Sequence, residues 1–108
     1  MTPHALHVTC PDAPTAERIA DALLRGRLVA CAHVQAPHAS RYWWEGRIEA
    51  AEEVVLLCKT DGALWERAAE VARGLHPYDV PAIVGWPIRA TGDYAAWIAA
   101  ETGAPREP

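Results

Sequence analysis

No run in this sequence is long and apolar enough to cross a membrane as a helix. The longest in its middle, Val54 to Cys58, falls far short of the roughly 18 to 20 residues that a bilayer requires. A basic-then-apolar leader is missing as well, so the expectation is a soluble, cytoplasmic protein with no membrane partner. There is no Cys-x-x-Cys pair. The three cysteines, Cys10, Cys31 and Cys58, are odd in number and widely spaced, which argues against both a disulfide scaffold and a structural zinc finger. Free thiols fit a reducing compartment, where cysteine serves as a small buried hydrophobe. Basic runs are absent too. Ten Lys and Arg are scattered singly against 14 Asp and Glu, a net charge of -4, whereas nucleic-acid binders concentrate positive charge on one face. Nucleophile-elbow, P-loop and dinucleotide motifs do not occur, so nothing supports a hydrolase, an NTPase or a dehydrogenase. No repeat or low-complexity segment breaks the chain.

What is present is the balance of a folded globule: 108 residues, 51% hydrophobic and 22% charged, the size of a single domain, taken as 1–108. Ala5 to Cys10 reads as a strand closed by Pro11-Asp12. Ala16, Ile19, Ala20, Leu23 and Leu24 then form a helical stripe, with Asp12 or Thr15 as cap and Gly26 as stop. Leu28 to Ala36 reads as a second strand, parallel to the first through a right-handed crossover. Ser40 to Glu45 and Ile48 to Thr60 are two more, with Glu45-Gly46 as the turn between them. Asp61 can cap a helix carrying Leu64, Ala68, Val71, Ala72 and Leu75, ended by Gly74. A short strand, Ala82 to Ile88, precedes a last helix opened near Thr91 to Asp93, with Tyr94, Trp97 and Ile98 on one side. This order is an α+β, ferredoxin-like (β-α-β-β-α-β) sandwich with a long β-hairpin and an extra C-terminal helix. The polar, Pro-ended tail after Glu101 is expected to add little to stability.

The hairpin looks too long for one copy. Two arms of about 15 residues at roughly 3.3 Å each reach about 50 Å, whereas a compact chain of this size has a radius of gyration of about 13 Å. Pro37 offers a place to break pairing. Tyr42 and Trp44 point to one side, Arg41 and Trp43 to the other. Two helices cover one face only, so the second face needs either the last helix or another subunit, and closed symmetry favours a ring.

Candidate metal ligands are few. Cys31 and His33, two apart on a strand, point the same way and offer a thiol and an imidazole to an ion such as Cu(I) or Zn(II). Further ligands would have to come from His76, from Cys10 or across a subunit boundary. The competing readings are a core cysteine beside a hydrogen-bonded histidine and, for His76, a ring capping the preceding helix. Cys31 as a catalytic nucleophile would need a base and a lowered thiol pKa, which a sequence cannot display. His4 and His7 fall on opposite faces and read as surface residues, and Glu49, Glu52 and Glu53 read as a solvated strand edge. Trp65 and Trp97 read as core.

Val8-Thr9-Cys10-Pro11, Leu28-Val29-Ala30-Cys31-Ala32, Tyr42-Trp43-Trp44-Glu45-Gly46-Arg47-Ile48-Glu49, Cys58-Lys59-Thr60 and His76-Pro77-Tyr78-Asp79-Val80-Pro81 resemble, in order and spacing, the CutA family of divalent-cation-tolerance proteins. The likeness runs from about Leu6 to Trp97. It implies a homotrimer built through long hairpins, similar in plan to the PII signalling proteins, and a link to tolerance of divalent metals, copper above all, without catalytic activity. Copper or another divalent cation would then bind without being needed for folding, at Cys31, His33 and His76. Ala82 stands where members usually carry a glutamate that lines the inter-subunit cleft. His33 replaces a common asparagine, and Leu75 sits where some members have a second histidine. The first-strand cysteine of those members aligns nearer Val8 than Cys10. The function expected from the resemblance is a trimer contributing to metal homeostasis. The alternative is a PII-like signalling trimer holding a small anionic ligand at inter-subunit clefts, with Arg41, Arg47 and Lys59 supplying charge.

Overall fold

The structure, a computed structural model, describes residues 1–103; the last part of the polar tail, 104–108, lies outside the described residues. The elements are β1 (Pro3–Cys10), α1 (Ala13–Arg25), β2 (Cys31–Val34), β3 (His38–Trp44), β4 (Arg47–Asp61), a 3-10 turn (Gly62–Leu64), α2 (Trp65–Leu75), β5 (Ile83–Pro87) and α3 (Gly92–Glu101). β4 is the spine of the sheet. It pairs antiparallel with β1 along one edge and with β2 and then β3 along the other, and β1 pairs antiparallel with β5, giving the order β2-β4-β1-β5. β1 and β2 therefore run parallel with β4 between them, the split β-α-β arrangement of the expected ferredoxin-like class.

Period-two alternation assigns the two faces. Leu6, Val8 and Cys10 stand opposite Cys58, Leu56 and Val54, and all six are buried against Ile19 and Leu23 of α1 and Ala68 and Ala72 of α2. Both amphipathic helices thus share one face of the sheet. On the other face, α3 covers only one end. Its Tyr94 hydroxyl lies 3.5 Å from the thiol of Cys31, which is paired with Lys59 and so points away from the core formed around Cys58. The last helix and an uncovered hairpin therefore coexist. The molecule measures 50 Å along its longest axis, while Tyr42, Trp43, Trp44 and Ile48 remain exposed, Trp43 at 71%.

Several boundaries move for local reasons. Asp12, not Thr15, is the N-cap of α1, accepting from the Thr15 amide at 2.8 Å. Gly26 ends that helix at φ -78, and the left-handed residue is Arg27, φ 57. Arg27 and Leu28 donate their amides to the carbonyls of Leu24 and Leu23, the Schellman pattern that satisfies terminal carbonyls. Asp61 caps the 3-10 turn through Ala63, and α2 begins without a side-chain cap. α2 continues past Gly74 to Leu75 and stops because His76 precedes a proline and is held extended, φ -83 and ψ 136. The second strand shortens to β2, since Pro37 interrupts pairing before β3 begins. Glu45 (φ 50) and Gly46 (φ 77) form the expected hairpin turn with both central residues left-handed.

Trp65 is only partly buried, and its indole N–H donates to the Ala5 carbonyl at 3.0 Å. It fits because β5 carries Gly85 opposite Leu6, where a Cβ would collide with the indole and with the Ala5 carbonyl. Gly85→Ala is expected to lower stability by about 2 to 3 kcal/mol through overpacking and loss of that hydrogen bond, measured by denaturant unfolding. An unchanged midpoint would show that the indole moves aside freely.

Candidate functional site

β1 ends at Cys10, paired with Val54, but β4 continues back to Arg47. Where β1 stops, the segment 76–81 crosses the end of the sheet. Pro77 and Pro81 restrict its backbone, and three hydrogen bonds fix it. The Tyr78 amide donates to Nδ1 of His76 at 3.2 Å, so Nε2 carries the ring proton and donates to the Thr9 carbonyl at 2.7 Å. The Tyr78 hydroxyl donates to the Glu53 carboxylate at 2.9 Å. His76 therefore ties the segment to β1; its ring does not cap the helix, where only its backbone amide bonds the Arg73 carbonyl.

This segment, the second face of β1 and β4, and β3 along its length from His38 to Trp44 enclose a cleft of about 840 Å³, within the size range of small-molecule sites. Glu53, expected at a solvated edge, is 5% exposed and stands directly across the β3–β4 ladder from His38. The His38 ring in turn lies 3.0 Å from the Ser40 hydroxyl. His7, expected on the surface, is half-buried beside Trp86, and its Nδ1 is sealed from solvent without a partner among the described residues. Burial, the hydrogen bond to Glu53 and the charge of Glu53 push the Tyr78 phenol up to about 12. No sequence pattern signalled Glu53. The cue would have been its strand parity, which it shares with Val55 and Leu57.

The proposed metal ligands lie elsewhere or are already engaged. Cys31 contacts Tyr94 as described. The Lys59 ammonium, 6.0 Å from the Tyr94 ring centroid, donates to Nε2 of His33 at 3.3 Å. His76 uses both ring nitrogens within the chain. It reaches Thr9, which pairs with Val55, whereas Cys31 pairs with Lys59, four residues or roughly 13 Å further along β4. Cys10 is fully buried on the opposite face, and burial first, then Asp12 and Glu53, push its thiol up to about 11; burial pushes Cys58 up to about 12. Among the described residues no three His, Cys, Asp or Glu side chains cluster as a metal site. The donor set among the described residues does not fit a resident ion. Trp97, expected in the core, is 41% exposed and stacks on Tyr94.

The fold and cleft define a class of small ferredoxin-like proteins in which one hairpin outreaches the helices and a proline-bracketed segment crosses the sheet end. The chain belongs to the CutA1 divalent ion tolerance protein family, whose profile matches residues 4–101. It is 43% identical over 98 residues to the divalent-cation tolerance protein CutA of Pyrococcus horikoshii, covering 90% of this chain and 95% of that one. The crystal structure of CutA from Xylella fastidiosa superposes with a TM-score of 0.91 at 33% identity, over 95% of this chain and 100% of that one. A CutA from Archaeoglobus fulgidus, described as a periplasmic divalent cation tolerance protein, superposes with a TM-score of 0.88 at 34% identity, over 92% and 97%.

Tyr78 links the cleft to pH. Its folded pKa is raised above the ordinary 10.0, so its contribution to stability is complete below pH about 10 and is lost as pH rises towards 12. Glu53→Gln is expected to bring one tyrosine titration down towards 10, read by tyrosinate absorbance, leaving Tyr94, also held near 12, as the internal control. An unmoved titration would show that the Glu53 contact does not hold the proton.

Proposed function

We propose that this protein is a non-enzymatic homotrimer that contributes to divalent-metal homeostasis in the cytoplasm, with copper as the preferred ion. The observation that carries the assembly is the hairpin. Among the described residues, the edge of β4 turned away from β3 has no strand beside it over Arg47 to Glu53, and Trp43, Ile48, Tyr42 and Trp44 around it are exposed at 71, 56, 40 and 41%. Such an edge with large rings on both faces calls for cover by another chain, and closed symmetry makes that chain a second copy. The metal part rests on the family description and on the soft donors Cys31 and His33. His76 and Cys10 are committed within the subunit, so an ion would be completed across a subunit boundary.

Three free thiols support a reducing compartment, although the Archaeoglobus relative is described as periplasmic. No helix among the described residues is long and apolar enough to cross a membrane. A PII-like anion site is less well matched, because the cleft sets Glu53 and Asp79 against Arg41, and Lys59 is occupied by His33 and Tyr94.

Light scattering tests the assembly: a trimeric mass is expected at dilution, and a folded species at 11.8 kDa would contradict it. Trp44→Ala should cost about 3 to 5 kcal/mol per subunit and make the oligomer dissociate on dilution. For the metal, weak Cu(I) binding should fall in Cys31→Ser, which keeps the size and loses the soft ligand. An unchanged titration would exclude that residue.

A further inference from the structure

We infer that Lys59 makes the Cys31–His33 pair selective for ion charge, closing it to divalent ions and leaving it to a soft monovalent ion such as Cu(I). This deepens the metal reading above and rests on it. Cys31 and Lys59 are direct partners across the β2–β4 ladder, which sets their Cβ atoms roughly 5 Å apart on one face. His33 stands on the same face two residues on, and its Nε2 accepts the hydrogen bond from the Lys59 ammonium at 3.3 Å. The ammonium also lies 6.0 Å from the ring centroid of Tyr94, whose hydroxyl is 3.5 Å from the Cys31 sulfur. α3 keeps that ring in place through the stack of Tyr94 on Trp97, the fully buried Ile98 and the Arg27–Glu101 ion pair. All these contacts lie within one chain, at the α3 end of the sheet, and require no open surface.

Charge decides what such a pair accepts. Cysteine ligates as the thiolate, so thiolate and ammonium together are neutral, and a monovalent ion leaves one positive charge where a divalent ion leaves two. Repulsion by the ammonium scales with the charge of the ion, so it falls twice as heavily on Zn(II) or Cu(II) as on Cu(I). Ligand number works in the same direction. Zinc takes four ligands, more than the pair offers, and no cluster of three exists among the described residues. The misfit between the donor set and a resident divalent ion thus has a cause in the chain, a tethered cation already seated at the pair.

Anaerobic competition titrations of the full chain test this, with Cu(I) against bicinchoninate and Zn(II) against pyridylazoresorcinol. In Lys59→Gln, which removes the charge and keeps a hydrogen-bond donor for His33, Zn(II) affinity should rise at least about tenfold more than Cu(I) affinity. Lys59→Arg, which keeps the charge, should leave the ratio of the two affinities within about threefold of the unmodified protein. Tyr94→Phe, which takes the hydroxyl from the thiol and leaves the ammonium, should do the same. Equal gains for the two ions in Lys59→Gln, or no gain for Zn(II), would overturn the inference. Equal gains would mean that a carboxylate of a neighbouring copy already neutralises Lys59. Should Lys59→Gln fail to fold, Lys59→Ala carries the same expectation. Cys31→Ser separates the two claims. Cu(I) binding indifferent to it defeats the metal reading and this inference together, whereas Cys31-dependent Cu(I) binding with equal gains in Lys59→Gln defeats this inference alone.

Discussion

β4 is 15 residues long and β1 is eight, and most of the molecule follows from that mismatch. Where the two strands run together, β4 is paired on both edges and its even-numbered side chains enter the core with those of β1. Beyond Val54 it is paired on one edge only, by β3. Backbone donors and acceptors on the other edge have no strand among the described residues to meet them, and such groups are rarely left unmet in a folded protein. The helices cannot reach this far, because α1 and α2 pack over the shared half of the sheet and α3 sits at the opposite end, over Cys31 and Lys59.

The proline-bracketed segment is the chain's partial answer. It crosses the end of β1, anchored there by His76 on the Thr9 carbonyl, and brings the Tyr78 hydroxyl to Glu53. A cleft results, because the segment meets β4 through a side chain and not through a ladder of backbone bonds. The ring nitrogens of His76 are used up in building it, so the same residue cannot also serve as a metal ligand without dismantling the wall. Structure and metal chemistry compete for one imidazole, and the hydrogen bonds have taken it.

Much of this fold was legible in the sequence. The stripes of α1 and α2 and the alternation in β1 and β4 placed the core and put both helices on one face, and Glu45-Gly46 marked the turn. The family resemblance, carried by the motifs around the hairpin and by the 76–81 segment, is one to which family profile and relatives both return. Less legible was anything that depends on where strands end. Glu53 reads as part of a solvated acidic edge because Glu49 and Glu52 precede it, yet its parity and its place beside Tyr78 bury it. The same holds for His7: alternation puts His4 and His7 on opposite faces, but it does not show that Trp86, on a strand nearly eighty residues later, covers one of them. Arg27 adopts the left-handed conformation although Gly26 is next to it, because the Schellman bonds to Leu23 and Leu24 choose the position, not the residue type.

The claim on which the rest depends is that the open edge of β4 is covered by a second copy of the chain. Native-state hydrogen exchange resolved to single amides measures it directly. The amides of Arg47 to Glu53 that point away from β3 should be protected to a degree comparable with those of Val54 to Asp61, which have β1 beside them. Exchange of those amides at the rate of an open strand edge, in protein whose Val54 to Asp61 amides remain protected, would contradict it.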